Sequence, residues 1–150
     1  MTKQDSGDGL IPLDGHLCFS IYSAAIAINR LYKPLLDELG ITYPQYLVLT
    51  TLYESGEQTV SRIGDRLSLE PSTITPVLKR LEQADLIIRR RNPDNERQVF
   101  VTITEKGKAL RFDAKCLLDT LLKRSRLTVD QIVSLNEQVR GLLGALAGSA

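Results

Sequence analysis

A chain of 150 residues, 43% hydrophobic and 25% charged, has the size and composition of one folded domain, which excludes the fibrous and disordered classes and makes no provision for a second independent domain. The formal net charge of +1 gives no global attraction to nucleic acid, so any basic surface has to be local. The single histidine, His16, and the two cysteines, Cys18 and Cys116, exclude a two-histidine zinc site and a disulfide scaffold, and they confine any Ser-His-Asp or Cys-His triad to His16.

No apolar run approaches the roughly 18 residues of a membrane-spanning helix, and the opening MTKQDSGDG lacks the basic start and apolar stretch of a secretory leader. A cytoplasmic protein without metal or cofactor is expected. Residues 1–12 are polar, glycine-rich and without period, the pattern of a loose arm, and 13–150 form one domain. From Asp14, the expected N-cap, the apolar set Leu17, Ile21, Ala24, Ala25, Ile28, Leu31 and Leu35 recurs at three and four as in a long amphipathic helix, which Gly40 closes. Thr42-Tyr43-Pro44-Gln45 reads as a capping box with proline in the first turn, opening a second helix that Gly56 stops.

Thr59 to Leu67 is a short helix with Val60, Ile63 and Leu67 on one side, followed after a brief connection by a helix from Pro71 to about Ala84. Two short helices joined by a tight turn suggest helix-turn-helix. The second turns Ile74, Val77, Leu78 and Leu81 inward and leaves Ser72, Thr73, Thr75, Lys79 and Arg80 for other faces. Pro76 inside it removes one backbone hydrogen bond and is expected to bend the axis. Leu86 to Arg91, a turn over 92–96, and Arg97 to Ile103 form a β-hairpin with a polar tip. Thr104 caps a helix to about Lys123, and Thr128-Val129-Asp130-Gln131 is a second capping box, opening a last helix with Ile132, Leu135, Val139, Leu142, Leu143 and Leu146 as its apolar set.

The expected fold is therefore mainly α with a small β-hairpin wing: a winged helix-turn-helix over about 42–104, flanked by helices over about 13–39 and 104–147 whose apolar stripes call for a partner chain. Between Arg62 and Arg97 there are eight Lys/Arg against six Asp/Glu, a small excess that a solvated face would also show. Placement points to double-stranded DNA. The hydroxyl-rich start of the second short helix can reach phosphates or base edges, and the hairpin carries Arg89 and Arg91 in its first strand with Asp94 and Arg97 at its tip.

The segment 59–107, above all DNERQVFVTITEKG, resembles the wing and following helix of the MarR family of dimeric winged-helix regulators, and the likeness extends over residues 13–147. Within that family LCFSIYSAAIAINRLYKPLLDELGITYPQYLVL is similar to the organic-hydroperoxide-sensing repressors, with Cys18, Tyr22, Tyr32 and Tyr43 at that group's spacing. The resemblance implies a homodimer on a palindromic operator, an organic hydroperoxide as effector, Cys18 as the oxidised thiol, and tyrosines that stabilise its thiolate.

A lone cysteine on an apolar helix is also a good small core residue. Cys18, however, falls near a helix N-terminus, which favours a thiolate, and Tyr22 lies one turn on, within reach of the sulfur. Tyr32 is about 21 Å further along the same helix, and the resemblance implies that Tyr32 and Tyr43 come from the other subunit. Cys116 is either a packing residue or a candidate resolving thiol. Family members with two cysteines carry theirs near the position of Leu121 to Lys123, two turns further on. Two rival functions use the same residues: a MarR-type regulator of a non-reactive aromatic ligand, and a thiol peroxidase that turns over at Cys18.

Overall fold

The computed structural model describes residues 10–113 and 116–148. Within them the chain runs through a short 3-10 turn at Leu13–Gly15, then α1 (Leu17–Leu39), α2 (Tyr43–Ser55), β1 (Gln58–Thr59), α3 (Val60–Leu67), α4 (Pro71–Gln83), β2 (Ile87–Asn92), β3 (Asn95–Ile103), α5 (Glu105–Asp113), α6 (Cys116–Ser125) and α7 (Val129–Ala147). The mainly helical, winged architecture expected from the pattern is the one observed. The single helix expected from Thr104 to Lys123 is described as α5 and α6, with 114–115 outside the described residues.

Local chemistry sets most boundaries. Gly40 ends α1 in the left-handed conformation at φ 71°, which glycine adopts without the steric cost of a Cβ. The Thr42 hydroxyl accepts from the Gln45 N–H while the Gln45 side chain accepts from the Thr42 N–H, a reciprocal cap on α2 that Thr128 and Gln131 repeat on α7. The N-cap of α1 differs from expectation. It is His16, not Asp14, because Asp14 is taken up in the 3-10 turn, where the Gly15 N–H bonds to the Pro12 carbonyl and His16 Nε2 lies 2.7 Å from the Ile11 carbonyl. These bonds involve Ile11 and Pro12, within the stretch expected to be the arm.

The wing is larger than a hairpin. β3 is the centre of a three-stranded antiparallel sheet in the order β1-β3-β2, with Gln58 opposite Val101 and Thr59 opposite Phe100. The hairpin turn is also tighter than expected, since Asn92 already pairs with Asn95. Its tip is held by side chains: Asn92 Oδ1 accepts from the Asp94 N–H and Asn95 Oδ1 from the Arg97 N–H. α4 remains one helix through Pro76.

The core lies where α2, α3, α4 and the sheet meet. Val48, Leu52, Ile63, Ile74, Leu78, Leu81 and Val101 are fully enclosed there, each contributing roughly 1.5–3 kcal/mol of transfer free energy. Leu36 and Ile41 extend it under α1, and Leu117 brings α6 onto it. The two ends of the chain are different. None of the residues of α7 is buried, and Val133, Leu135, Val139, Leu143 and Leu146 stand open on it, as Leu13, Leu17 and Tyr22 do around the start of α1. Among the described residues no helix is long and apolar enough to cross a membrane.

Candidate functional site

Two groups of residues carry chemistry. The first surrounds α1 and α2. Cys18 is a free, exposed thiol and the second residue of a 23-residue helix. No side chain caps that helix, so the N–H groups of its first turn stay available to negative charge developing beside them. Tyr22, one turn on, is 66% exposed, and its hydroxyl makes no hydrogen bond to Cys18 among the described residues. Within the single chain both side chains stand in solvent, so the fold of one chain does not itself press the ring down onto the sulfur.

Tyr32 and Tyr43 are brought together, but with each other. Their ring centroids are 6.0 Å apart, and Tyr46, which the sequence reading missed, stacks on Tyr43 at 5.9 Å. Tyr46 lies one helical turn after Tyr43, and that spacing was the available signal. Burial, reinforced by the neighbouring phenols, holds the Tyr32 and Tyr43 hydroxyls above the ordinary tyrosine range, so both stay protonated donors well into alkaline solution. Beside them a cleft of about 310 Å³ opens between α1 and the start of α2, lined by Leu36, Ile41, Tyr43 and Pro44 with Lys33 and Asp37. The rise of α1 sets Tyr32 about 21 Å along the helix axis from Cys18 of its own chain. Cys116 opens α6, half-buried, beside the enclosed Leu117.

The second group is the helix-turn-helix and wing. Ser72, Thr73, Thr75, Lys79 and Arg80 are all exposed on α4, while Ile74, Leu78 and Leu81 are buried beneath them, so the face expected to be free is free. Asp94 and Arg97 are exposed at the wing tip. The arginines of β2 have diverging surroundings. Arg89 is tied to Glu82 of α4, its guanidinium donating to Oε1 at 3.0 Å and its backbone N–H to Oε2 at 3.1 Å. Arg90 lies 3.6 Å from Glu57 and over the Phe100 ring. Arg91 has no ion pair among the described residues and shares a hollow with Glu82, Arg89 and Val99. The Arg89 guanidinium holds the Glu82 carboxyl below the usual carboxylate range. With Arg66 paired to Glu54, the basic side chains of the region without an ion pair among the described residues are Arg62, Lys79, Arg80, Arg91 and Arg97.

The start of α5 is held from both sides. Thr104 Oγ1 donates to the Asp85 carbonyl and Lys106 Nζ to the Ala84 carbonyl, the Thr104 N–H bonds to the Leu86 carbonyl, and the Tyr53 hydroxyl donates to the Gly107 carbonyl. Nothing in the periodicity announced this junction, because it joins backbone groups that are remote in sequence.

A tri-helical core with an antiparallel wing, whose partner helix carries a free hydroxylic and basic face, defines a winged helix-turn-helix protein of the DNA-reading class. Comparison with known proteins narrows the class. The family model described as transcriptional regulator SarA/Rot matches residues 30–113. The organic hydroperoxide resistance transcriptional regulator of Bacillus subtilis is 40% identical over 134 residues, 89% of this chain and 91% of that protein.

Among solved structures, reduced AbfR bound to DNA is 36% identical with a TM-score of 0.71, covering 90% of this chain and 94% of that one. AbfR, from Staphylococcus epidermidis, is similar also in its disulfide-formed state, at 34% identity and a TM-score of 0.62 over 87% of this chain and 92% of that one. A mutant of E. coli MarR complexed with operator DNA is 26% identical with a TM-score of 0.74, covering 85% and 93%. The chain belongs to the MarR/SarA family of winged-helix transcriptional regulators.

Proposed function

We propose that this regulator is a cytoplasmic homodimeric repressor that holds a palindromic operator while Cys18 is reduced and releases it when an organic hydroperoxide oxidises that thiol. The observation that carries the reading is the position of Cys18: an exposed thiol in the uncapped first turn of α1, among the uncovered apolar side chains Leu13, Leu17 and Phe19. The names of two relatives support it, one an organic hydroperoxide resistance regulator and the other, AbfR, solved in reduced and disulfide-formed states.

In the dimer the open faces of α1 and α7 cover one another, so 13–39 and 104–147 are the dimerisation helices and 42–104 the DNA-reading unit. The Tyr32, Tyr43 and Tyr46 cluster is too far along α1 for its own Cys18, so its hydroxyls and the adjacent cleft serve Cys18 of the partner chain, with Tyr22 closing over the sulfur on assembly. Apolar walls suit the hydrocarbon part of the peroxide. The Cys18 thiolate attacks the terminal peroxide oxygen, the O–O bond breaks, and the alkoxide leaves and takes a proton from solvent to become an alcohol. Sulfur is oxidised by two electrons to a sulfenic acid as the peroxide is reduced. A second thiol then attacks that sulfur, releasing water and forming a disulfide; Cys116 is the candidate within the protein.

On DNA, α4 enters the major groove through Ser72, Thr73, Thr75, Lys79 and Arg80, and the wing, with Asp94 at its tip, offers Arg91 and Arg97 to the adjacent minor groove and its phosphates. The two recognition helices of a symmetric dimer meet successive major grooves about 34 Å apart. Intact mass analysis after one equivalent of cumene hydroperoxide tests the chemistry: one oxygen, or a disulfide, is expected on Cys18 of the wild type and neither in Cys18→Ser. A wild-type protein left unmodified would refute the sensor.

A further inference from the structure

We propose that Arg89 is a positioning residue, which through Glu82 fixes the wing against the recognition helix and makes no contact with DNA itself. This deepens the DNA-binding reading and rests on it. β2 is an edge strand, since the sheet order is β1-β3-β2, and the outward N–H groups of an edge have no strand to bond to. The Arg89 N–H is satisfied instead by Glu82 Oε2, seven residues back on the last turn of α4, while Oε1 of the same carboxylate takes the Arg89 guanidinium.

One carboxylate thus bonds both the backbone and the side chain of the strand. The backbone bond fixes where β2 lies relative to α4, and the side-chain bond keeps the carboxylate aimed at it. The turn between them is closed by a bond of its own: Asp85 adopts φ 60°, and the Leu86 N–H bonds back to the Leu81 carbonyl. The two elements that reach DNA, the exposed face of α4 and the wing tip, are therefore held at one angle. Arg91, two residues further along β2, has no ion pair among the described residues and is the β2 arginine left for a phosphate.

Charge gives opposite signs for the two roles. If Arg89 were a phosphate ligand, removing Glu82 would delete a nearby negative charge, free the guanidinium and tighten binding. If Arg89 positions the wing, removing Glu82 weakens binding. The probe is a duplex that the wild-type protein selects from a randomised library, with affinity measured across a salt series. Glu82→Ala and Arg89→Ala are each expected to weaken binding roughly ten-fold while leaving the slope of log affinity against log salt at the wild-type value, whereas Arg91→Ala lowers that slope by about one. Tighter binding by Glu82→Ala, or a slope lowered by about one in Arg89→Ala, would overturn the assignment.

A DNA-free readout separates this claim from the regulator reading. The Arg89 amide is expected to exchange slowly in the wild type and faster in Glu82→Ala, and equal rates in the two would also overturn it. A wild-type protein that prefers no duplex would count against the regulator reading, and the exchange rates would still decide the strut.

Discussion

Gly107→Ala separates two opposing expectations at a single methyl group. Gly107 is the third residue of α5, and helix propensity alone says that alanine there stabilises the protein by about 1 kcal/mol. The packing says the reverse. A Cβ at this position would overlap the Leu86 carbonyl oxygen and stand 2.7 Å from Ile103 Cγ1. The Leu86 oxygen cannot step aside, because it accepts the Thr104 N–H while the neighbouring Asp85 carbonyl is held by the Thr104 hydroxyl.

Relief therefore requires α5 to lift, which strains the junction by about 1–3 kcal/mol and weakens the Thr104 bonds and the Tyr53 bond to the Gly107 carbonyl, each worth about 1 kcal/mol. Net of the propensity gain, the loss is about 3 kcal/mol, or a Tm lower by about 6–12 °C in a chain of this length. Thermal denaturation followed by far-ultraviolet circular dichroism measures it. Gly141→Ala is the internal control: that glycine also lies in a helix but meets nothing within 4 Å, so its Tm is expected to rise by about 2 °C. A Gly107→Ala protein as stable as wild type, with Gly141→Ala behaving as stated, would mean that α5 is not pressed against the α4–β2 connection.

The tyrosine cluster gives a pH signature. Folded Tyr32 and Tyr43 are raised above the ordinary value of 10.0, so the stability carried by their neutral forms is complete below that pH and is lost as pH rises through the raised folded values; a phenolate absorbance titration should show a late phase missing from Tyr32→Phe/Tyr43→Phe, and a curve identical to wild type would contradict the burial argument. Arg97→Ala should weaken duplex binding and lower the salt slope by about one, and an unchanged slope would remove Arg97 from the phosphate contacts. After one equivalent of cumene hydroperoxide, a non-reducing gel should show a linked dimer that vanishes in both Cys18→Ser and Cys116→Ser. A small-thiol adduct on Cys18 without that dimer would leave Cys116 a packing residue.

The parts of the fold that were legible in the sequence are those written in local chemistry. Thr42 with Gln45 and Thr128 with Gln131 announce helix starts because both halves of each cap lie within four residues, and Gly40 and Gly56 announce stops because the backbone there has positive φ. The hairpin pattern ending in Arg97 to Ile103 disclosed β3. What escaped was non-local. β1 is two residues long, too short for any period, and exists only because β3 lies beside it. Glu82 and Arg89 lie on elements with different periods on either side of a turn, so neither pattern linked them, and Arg89 read as one more basic residue of the wing. The same holds for the site. Cys18 and the tyrosines could be found by residue type and spacing, but their distribution between two chains depends on assembly, which one chain's periodicity records only as stripes left uncovered.

The central claim is that oxidation of Cys18 is what frees the DNA, and fluorescence anisotropy of the labelled duplex complex during titration with cumene hydroperoxide tests it most directly. Anisotropy is expected to fall to the free-DNA value near one equivalent per subunit for the wild type and to stay at the bound value for Cys18→Ser. Release of the duplex by the Cys18→Ser protein at the same peroxide concentration, or a wild-type complex that holds its duplex with Cys18 fully oxidised, would contradict it.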